Sequence, residues 1–296
     1  MRYLKTSEAA ALLNISPNTL RAWERRFAFP KPQRTPGHHR LFTYGEVAAL
    51  RDALQEGLSI SSAVSRAREG LSSDTNSLGG ALAAFEPERA EMSIEAALAL
   101  RTVERSVEEV LLPTLEGIVR RHGADSAAWA FAARWGSEWL RRAQRLAPAP
   151  VRPLAVVIGD ASRDELDPDS AYIRALELFC ARAGLRVFSV SARGVVGIGE
   201  AVALHGPDLV VIAGSHLDDD AVARWAYAVR LAVGSLPITV YRRGDSRARV
   251  RSTGALVLPP GPGDAQRQIL ELIESGRASA GERRGPRALP AARRTG

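Results

Sequence analysis

The chain has 296 residues, a formal net charge of +7 and one cysteine. That length admits two domains, or three small ones, each with its own core. The lone Cys180 excludes an internal disulfide framework and a cysteine-built metal site, and with no run of eighteen apolar residues and no apolar leader in MRYLKTSE, a cytoplasmic protein without a membrane span is expected.

The first elements are short and closely spaced. Ser7 to Leu13 reads as a helix with apolar positions at Ala9, Leu12 and Leu13. Asn14-Ile15-Ser16 is a turn; Ser16 can accept from the free N–H groups of the next helix, and Pro17 sits at its first position, where a missing N–H costs nothing. That second helix buries Leu20, Trp23 and Phe27 and turns Asn18, Arg21, Ala22 and Arg25 outward. The unit is a helix-turn-helix, whose second helix is expected in the major groove, where Arg reaches guanine O6 and N7 with two parallel hydrogen bonds. Pro30 and Pro32 stop the helix, and Arg34 to Phe42 reads as a two-stranded wing turning at Pro36-Gly37. Leu41 and Phe42 anchor it, with Arg34, His38, His39 and Arg40 outward at phosphate height. Thr43 caps a helix from Tyr44 to Glu56, and Ser59 caps a fourth from Ile60 to Glu69. The expected DNA-contacting set is Ser16, Asn18, Thr19, Arg21, Arg25, Arg26, Arg34, His38, His39, Arg40 and Tyr44.

This order, with Leu20-Arg21-Ala22-Trp23-Glu24-Arg25-Arg26, Arg40-Leu41-Phe42 and Glu56-Gly57-Leu58-Ser59-Ile60, closely resembles the MerR-type winged-helix DNA-binding domain over residues 3 to 70. The resemblance implies double-stranded DNA as a partner, with a pseudo-palindromic or repeated operator bound by a homo-oligomer.

Residues 71 to 80, polar and rich in Gly and Ser, read as a linker. Residues 81 to 147 then read as an antiparallel four-helix bundle from Leu82–Phe85, Ile94–Val103, Val107–Arg121 and Ser126–Leu146, with Pro113 a kink or helix start. Its last helix carries Phe131, Trp135 and Trp139 as an aromatic stripe, with Trp129 one turn away, read as core rather than a ligand lid. Residues 148 to 153 are a second linker. From 154 to 276 five short apolar runs alternate with helices, which gives a parallel sheet covered on both faces. The flavodoxin-like order 2-1-3-4-5 is expected, with any ligand at the carboxyl ends of its first and third strands. Residues 277 to 296 read as a disordered basic tail. Residues 1–70 hold eleven Lys/Arg against six Asp/Glu, so basic ends flank a mildly acidic middle, as suits a DNA-binding head and a basic tail.

Head, bundle and flavodoxin-like domain in this order resemble the cobalamin-dependent photoreceptor repressors of carotenoid genes. That resemblance implies a bundle capping adenosylcobalamin on the sheet, with Glu-x-His-x-x-Gly after the first strand supplying the lower cobalt ligand. Here the loop is Glu165-Leu166-Asp167-Pro168-Asp169-Ser170, with Asp167 in place of the His and Ser170 in place of the Gly. A carboxylate is a poor substitute for imidazole at cobalt. Ser215-His216-Leu217 keeps the family's Ser-x-Leu, whereas Arg242-Arg243-Gly244 stands where the family has Gly-Gly. The bundle's Trp followed by Glu-His is absent around Trp129 and Phe131. The pocket residues, in degenerate form, are Trp129, Phe131, Trp135, Asp167, Ser170, Ser215, Leu217, Arg242 and Arg243, and cobalamin is not the expected cofactor.

Asp160, Asp164, Glu165, Asp167 and Asp169 read as a solvated acidic loop, and His216, which could be an axial ligand or hydrogen bonder, reads as a lone loop His that is more often neither. No nucleophile–base pair with a third partner appears, so no enzyme is expected. The leading expectation is a DNA-binding repressor with a sensory or oligomerisation module that lacks a lower His ligand. The alternatives are a repressor responsive to cobalamin, light or another small ligand, and a regulator controlled by a protein partner. With no heptad helix expected after Glu69, self-association falls to the bundle and sheet.

Overall fold

The computed structural model describes residues 3–34, 40–192, 198–216, 218–234, 236–243, 250 and 253–283, without the side chains of 33, 34, 71, 72 and 278–283. In the head, β1 (Tyr3–Lys5) precedes α1 (Thr6–Leu12) and α2 (Pro17–Phe27). The wing strands β2 (Gln33–Arg34) and β3 (Arg40–Thr43) pair antiparallel, and β1 adds to β3 as a third strand, so the wing is one side of a sheet ordered β1-β3-β2. The expected Pro36-Gly37 turn lies outside the described residues. α3 (Tyr44–Gln55) is capped by Thr43 as read from sequence. Leu20, Phe42, Val47, Leu50 and Val64 close the head's core.

The expected linker is helix instead. α4 runs Ile60–Ala83 without a break, so residues 71–80 form its second half and Leu82–Phe85 is its end rather than a helix of its own. Leu78, Ala81 and Leu82 are buried at i, i+3, i+4, and that buried face offsets the poor helix propensity of Gly70, Gly79 and Gly80. One helix therefore belongs to both head and bundle. The bundle continues with α5 (Pro87–Leu100), α6 (Val103–Ser106), a π-helical turn at Val107–Leu111, α7 (Leu112–His122) and α8 (Ala127–Arg145). Pro113 follows the π turn; it has no N–H for the Glu109 carbonyl, which fits a register change at this point.

The sheet domain comprises β4 (Ala155–Asp160), α9 (Pro168–Arg182), β5 (Arg186–Ser191), α10 (Ile198–His205), β6 (Leu209–Ala213), α11 (Asp219–Val233), β7 (Ile238–Tyr241), β8 (Leu256–Val257) and α12 (Pro262–Arg283). Its strands are parallel in the order β5-β4-β6-β7-β8, the flavodoxin-like arrangement. One face packs on α9 and α12, the other on α10 and α11. The expected tail begins later than read: α12 continues through 277 to Arg283, and 284–296 lie outside the described residues. Cys180 is fully buried, and desolvation pushes its thiol well above the ordinary range.

Bundle and sheet share a core. Trp129, Trp139, Leu111 and Leu115 pack in one apolar cluster with Ala171, Ala175, Leu178 and Phe179 of α9, and the aromatic stripe belongs to it. No helix is long and apolar enough to cross a membrane among the described residues.

Candidate nucleic-acid interface and effector pocket

Helix α2 is fixed at both ends. Ser16 Oγ accepts from the Thr19 N–H at 3.0 Å and lies 2.8 Å from the Thr19 hydroxyl. At the other end Ala28 takes a left-handed φ of 49°, and its N–H returns to the Glu24 carbonyl. Arg68 reaches from α4 to the carbonyl oxygens of Phe27 (2.5 Å) and Ala28 (3.2 Å), a cation at a helix C-terminus. So held, α2 exposes Asn18, Arg21, Arg25 and Arg26. Arg21 donates to Asn18 Oδ1 at 3.1 Å, and the Arg26 guanidinium lies 5.1 Å from the Phe27 ring centre.

Two residues of the expected set are placed differently. Arg40 does not stand free: its Nε is 2.8 Å from Glu24 Oε2, a half-buried pair that ties β3 to α2. Tyr44 opens α3 at the junction with the bundle, where the Arg105 guanidinium lies 5.4 Å from its ring centre. Arg34 lies in β2 opposite Arg40, its side chain outside the described set, as His38 and His39 are entirely. Lys5, Arg21 and Arg40 meet in one groove of about 610 Å³ with Thr6, Pro17 and Leu41. Lys5, Glu24 and Arg68 were missed from sequence: Glu24 meets a partner sixteen residues away and Arg68 one forty-one away, and no local pattern encodes either.

The acidic loop after β4 is only partly solvated: Asp164 is exposed, and Asp160 and Glu165 are half-buried. Asp167 and Asp169 are buried. Asp167 caps α9: its oxygens accept from Asp169 N–H (3.0 Å) and Arg163 N–H (2.8 Å), and His216 Nε2 stands 3.1 Å from Oδ2. Asp169 accepts from Ser215 N–H at 2.9 Å, and the buried Ser170 donates its hydroxyl to the Asp164 carbonyl. Asp167, Asp169 and His216 bring three ligand-type atoms within 4.8 Å of one another, in contacts that cap, fold and brace the loop.

The bundle is bonded onto this loop. Trp129 Nε1 donates to the Leu166 carbonyl at 2.8 Å. Arg243, expected along a nucleotide tail, pairs instead with Glu116 of α7 at 2.5 Å and stacks 3.9 Å from the Tyr172 ring, whose hydroxyl also donates to Glu116. Burial, then the neighbouring Glu116 carboxylate, raise the Tyr172 phenol far above its ordinary value. The buried Arg242 pairs with Asp219 at 3.1 Å. Phe131 and Trp135 are half-buried, Phe131 edge-on to Phe85 at 5.5 Å. Leu217 lies outside the described residues. At the position expected to hold a lower ligand, Asp167 caps α9 with the His216 imidazole beside it, and Trp129, Tyr172 and Arg243 bridge bundle and sheet.

Residues 5–42 match the MerR family regulatory protein profile. The chain is 42% identical over 69 residues, 23% of its length, to the HTH-type transcriptional regulator MlrA of Salmonella typhimurium (strain LT2), covering 28% of that protein. It is 39% identical over 70 residues, 22% of its length, to the HTH-type transcriptional repressor CarA of Myxococcus xanthus, covering 24%. The chain thus spans about a quarter of the length of these curated relatives. A cobalamin-binding protein from Desulfitobacterium hafniense superposes with a TM-score of 0.35 at 12% identity, over 67% of this chain and 98% of that one.

Proposed function

Residues 5–42 are a MerR-family domain, and from that premise we propose that the chain is a sequence-specific DNA-binding transcriptional regulator acting as a repressor. Its bundle and sheet form a sensory or oligomerisation module that takes no cobalamin through a lower imidazole. One observation carries the DNA-binding reading: α2 exposes Arg21 and Arg25 beside the groove where Lys5, Arg21 and Arg40 converge. Exposed arginines on such a helix suit guanine edges, and a cationic groove beside them suits the phosphate backbone. The Asp167 cap and the Arg243–Glu116 bridge support a module closed to corrin.

Selection from a random duplex pool with the full chain tests the first part. Enrichment of a repeated or pseudo-palindromic site is expected; retention of random and selected duplexes alike at physiological salt refutes it. For the second part, the chain purified with cobalamin supplied is expected to emerge colourless, and a bound corrin absorbance refutes that.

A second reading, control through self-association or a protein partner, is favoured by one feature of the sheet domain. Leu204 on α10 and Tyr227 and Leu231 on α11 are exposed, Leu204 to 90%.

A further inference from the structure

A cavity lies where head, bundle and sheet domain meet. It is a half-open cleft of about 510 Å³, the size of a drug-like ligand site. The head contributes the start of α3, the bundle contributes α6, the π turn and Pro113, and the sheet domain contributes Phe179 and the start of α12.

The glutamates of the π turn join these parts. Glu108 accepts the Gly263 N–H at 2.9 Å, at the start of α12. A Cβ on Gly45 would sit 2.9 Å from the Glu109 side chain, so the backbone of α3 approaches that carboxylate as only glycine allows.

The lining has a sign. It carries four carboxylates, Glu46, Glu104, Glu108 and Glu109, against two guanidinium groups, Arg105 and Arg267. Both cations are already engaged, Arg105 with Glu109 at 2.9 Å and Arg267 with Asp264. Glu104 is held by Arg182 at 2.6 Å, and Glu109 also by Arg101 at 3.3 Å. Glu46 is bonded by neutral groups, its Oε2 accepting from the Thr43 hydroxyl at 3.0 Å and the Lys31 N–H at 3.3 Å, while the charges of Lys31 and Arg68 act on it from nearby. Burial raises its pKa and outweighs the hydrogen bonds and the Lys31 and Arg68 charges that lower it, so a cation seated in the cavity would favour the charged form further. Tyr44, Pro113 and Phe179 supply apolar wall.

We propose that this junction is an effector site for an organic cation, an ammonium on a flat apolar body, with the charge at Glu46 and the body against Tyr44 and Phe179. Because Thr43 to Glu46 belong to the head, occupancy at this wall acts on the DNA-binding domain directly; that coupling rests on the regulator reading above, and ligand binding does not.

The test uses the full chain and the fluorescence anisotropy of pyrenemethylamine, neutral pyrenemethanol and anionic pyreneacetate. The amine is expected to bind about tenfold more tightly than the alcohol, the worth of one charge-assisted contact, and the acid most weakly. Glu46→Gln should bring the amine to the level of the alcohol and leave the alcohol unchanged. Gln266→Trp, which fills the cavity from α12, should abolish binding of both. Equal affinity for the three probes, or binding untouched by Gln266→Trp, overturns the site. An amine that binds without changing affinity for a selected operator overturns the coupling alone. A chain that binds the amine and no DNA retains the site and loses the regulator reading.

Discussion

Arg40 and Glu24 show how one contact changes the role of a residue. An arginine outside the recognition helix was expected on phosphate, yet its guanidinium is shared with a carboxylate of that helix. Glu24→Ala is therefore expected to weaken DNA binding although it removes a negative charge, because it frees β3 from α2. A double-mutant cycle with Arg40→Ala should show a coupling of about 1 kcal/mol, and additive losses would contradict the clamp. Arg21→Ala, by contrast, should cost about 1–3 kcal/mol on the selected site and little on random DNA, read by competition binding. Glu46 gives a pH signature. Its native carboxyl holds a proton more tightly than the unfolded chain does, so its contribution to stability is full below the ordinary glutamate range and falls as pH rises through the raised value. One oxygen accepts both of its hydrogen bonds, which a glutamine oxygen can also do. Glu46→Gln should accordingly melt higher than the parent at pH 7 and together with it in acid; a melting-temperature difference independent of pH would contradict this.

At the scale of elements, α4 departs most from its composition. Gly70, Gly79 and Gly80 would suit a flexible tether, but Leu78 and Leu82 are seated in the bundle core, and Ser77 Oγ lies 2.9 Å from Ser93 Oγ of α5. A Cβ at Gly70 or Gly80 meets nothing within 4 Å. Gly70→Ala and Gly80→Ala should each stabilise the protein by about 0.5–1 kcal/mol, the helix penalty of glycine, in urea denaturation. In a flexible linker the same changes would stabilise much less.

Across the whole molecule, the π turn ties the head to the body. Glu109 is buried between Arg101 and Arg105, and Arg101 also pairs with Asp74 of α4 at 2.7 Å. Glu109→Ala would leave two largely covered guanidinium groups without their shared carboxylate. A loss of about 3 kcal/mol is expected from denaturation of the full chain, along with new protease cleavage near the junction. An unchanged midpoint would show that the ion pairs carry no net stability.

The helix-turn-helix, its caps at Ser16 and Thr43 and the strand–helix alternation after residue 153 were legible because each is a local pattern: a capping side chain, a proline at a helix start, an apolar period of 3.6 or 2. Five strands in that alternation suggested the parallel order 2-1-3-4-5 that the sheet adopts, and several linked motifs gave the family of the head. The sequence could also show that Asp167 and Arg243 break a ligand pattern. It could not show what they do instead, since Asp167 meets His216 forty-nine residues on and Arg243 meets Glu116 across two domains. The continuity of α4, the turn of Tyr44 toward Arg105 and the cavity at the junction were decided only by tertiary packing. Burial of an apolar face outweighs a few glycines' worth of propensity, and a cavity walled by three domains has no trace in any one stretch of chain.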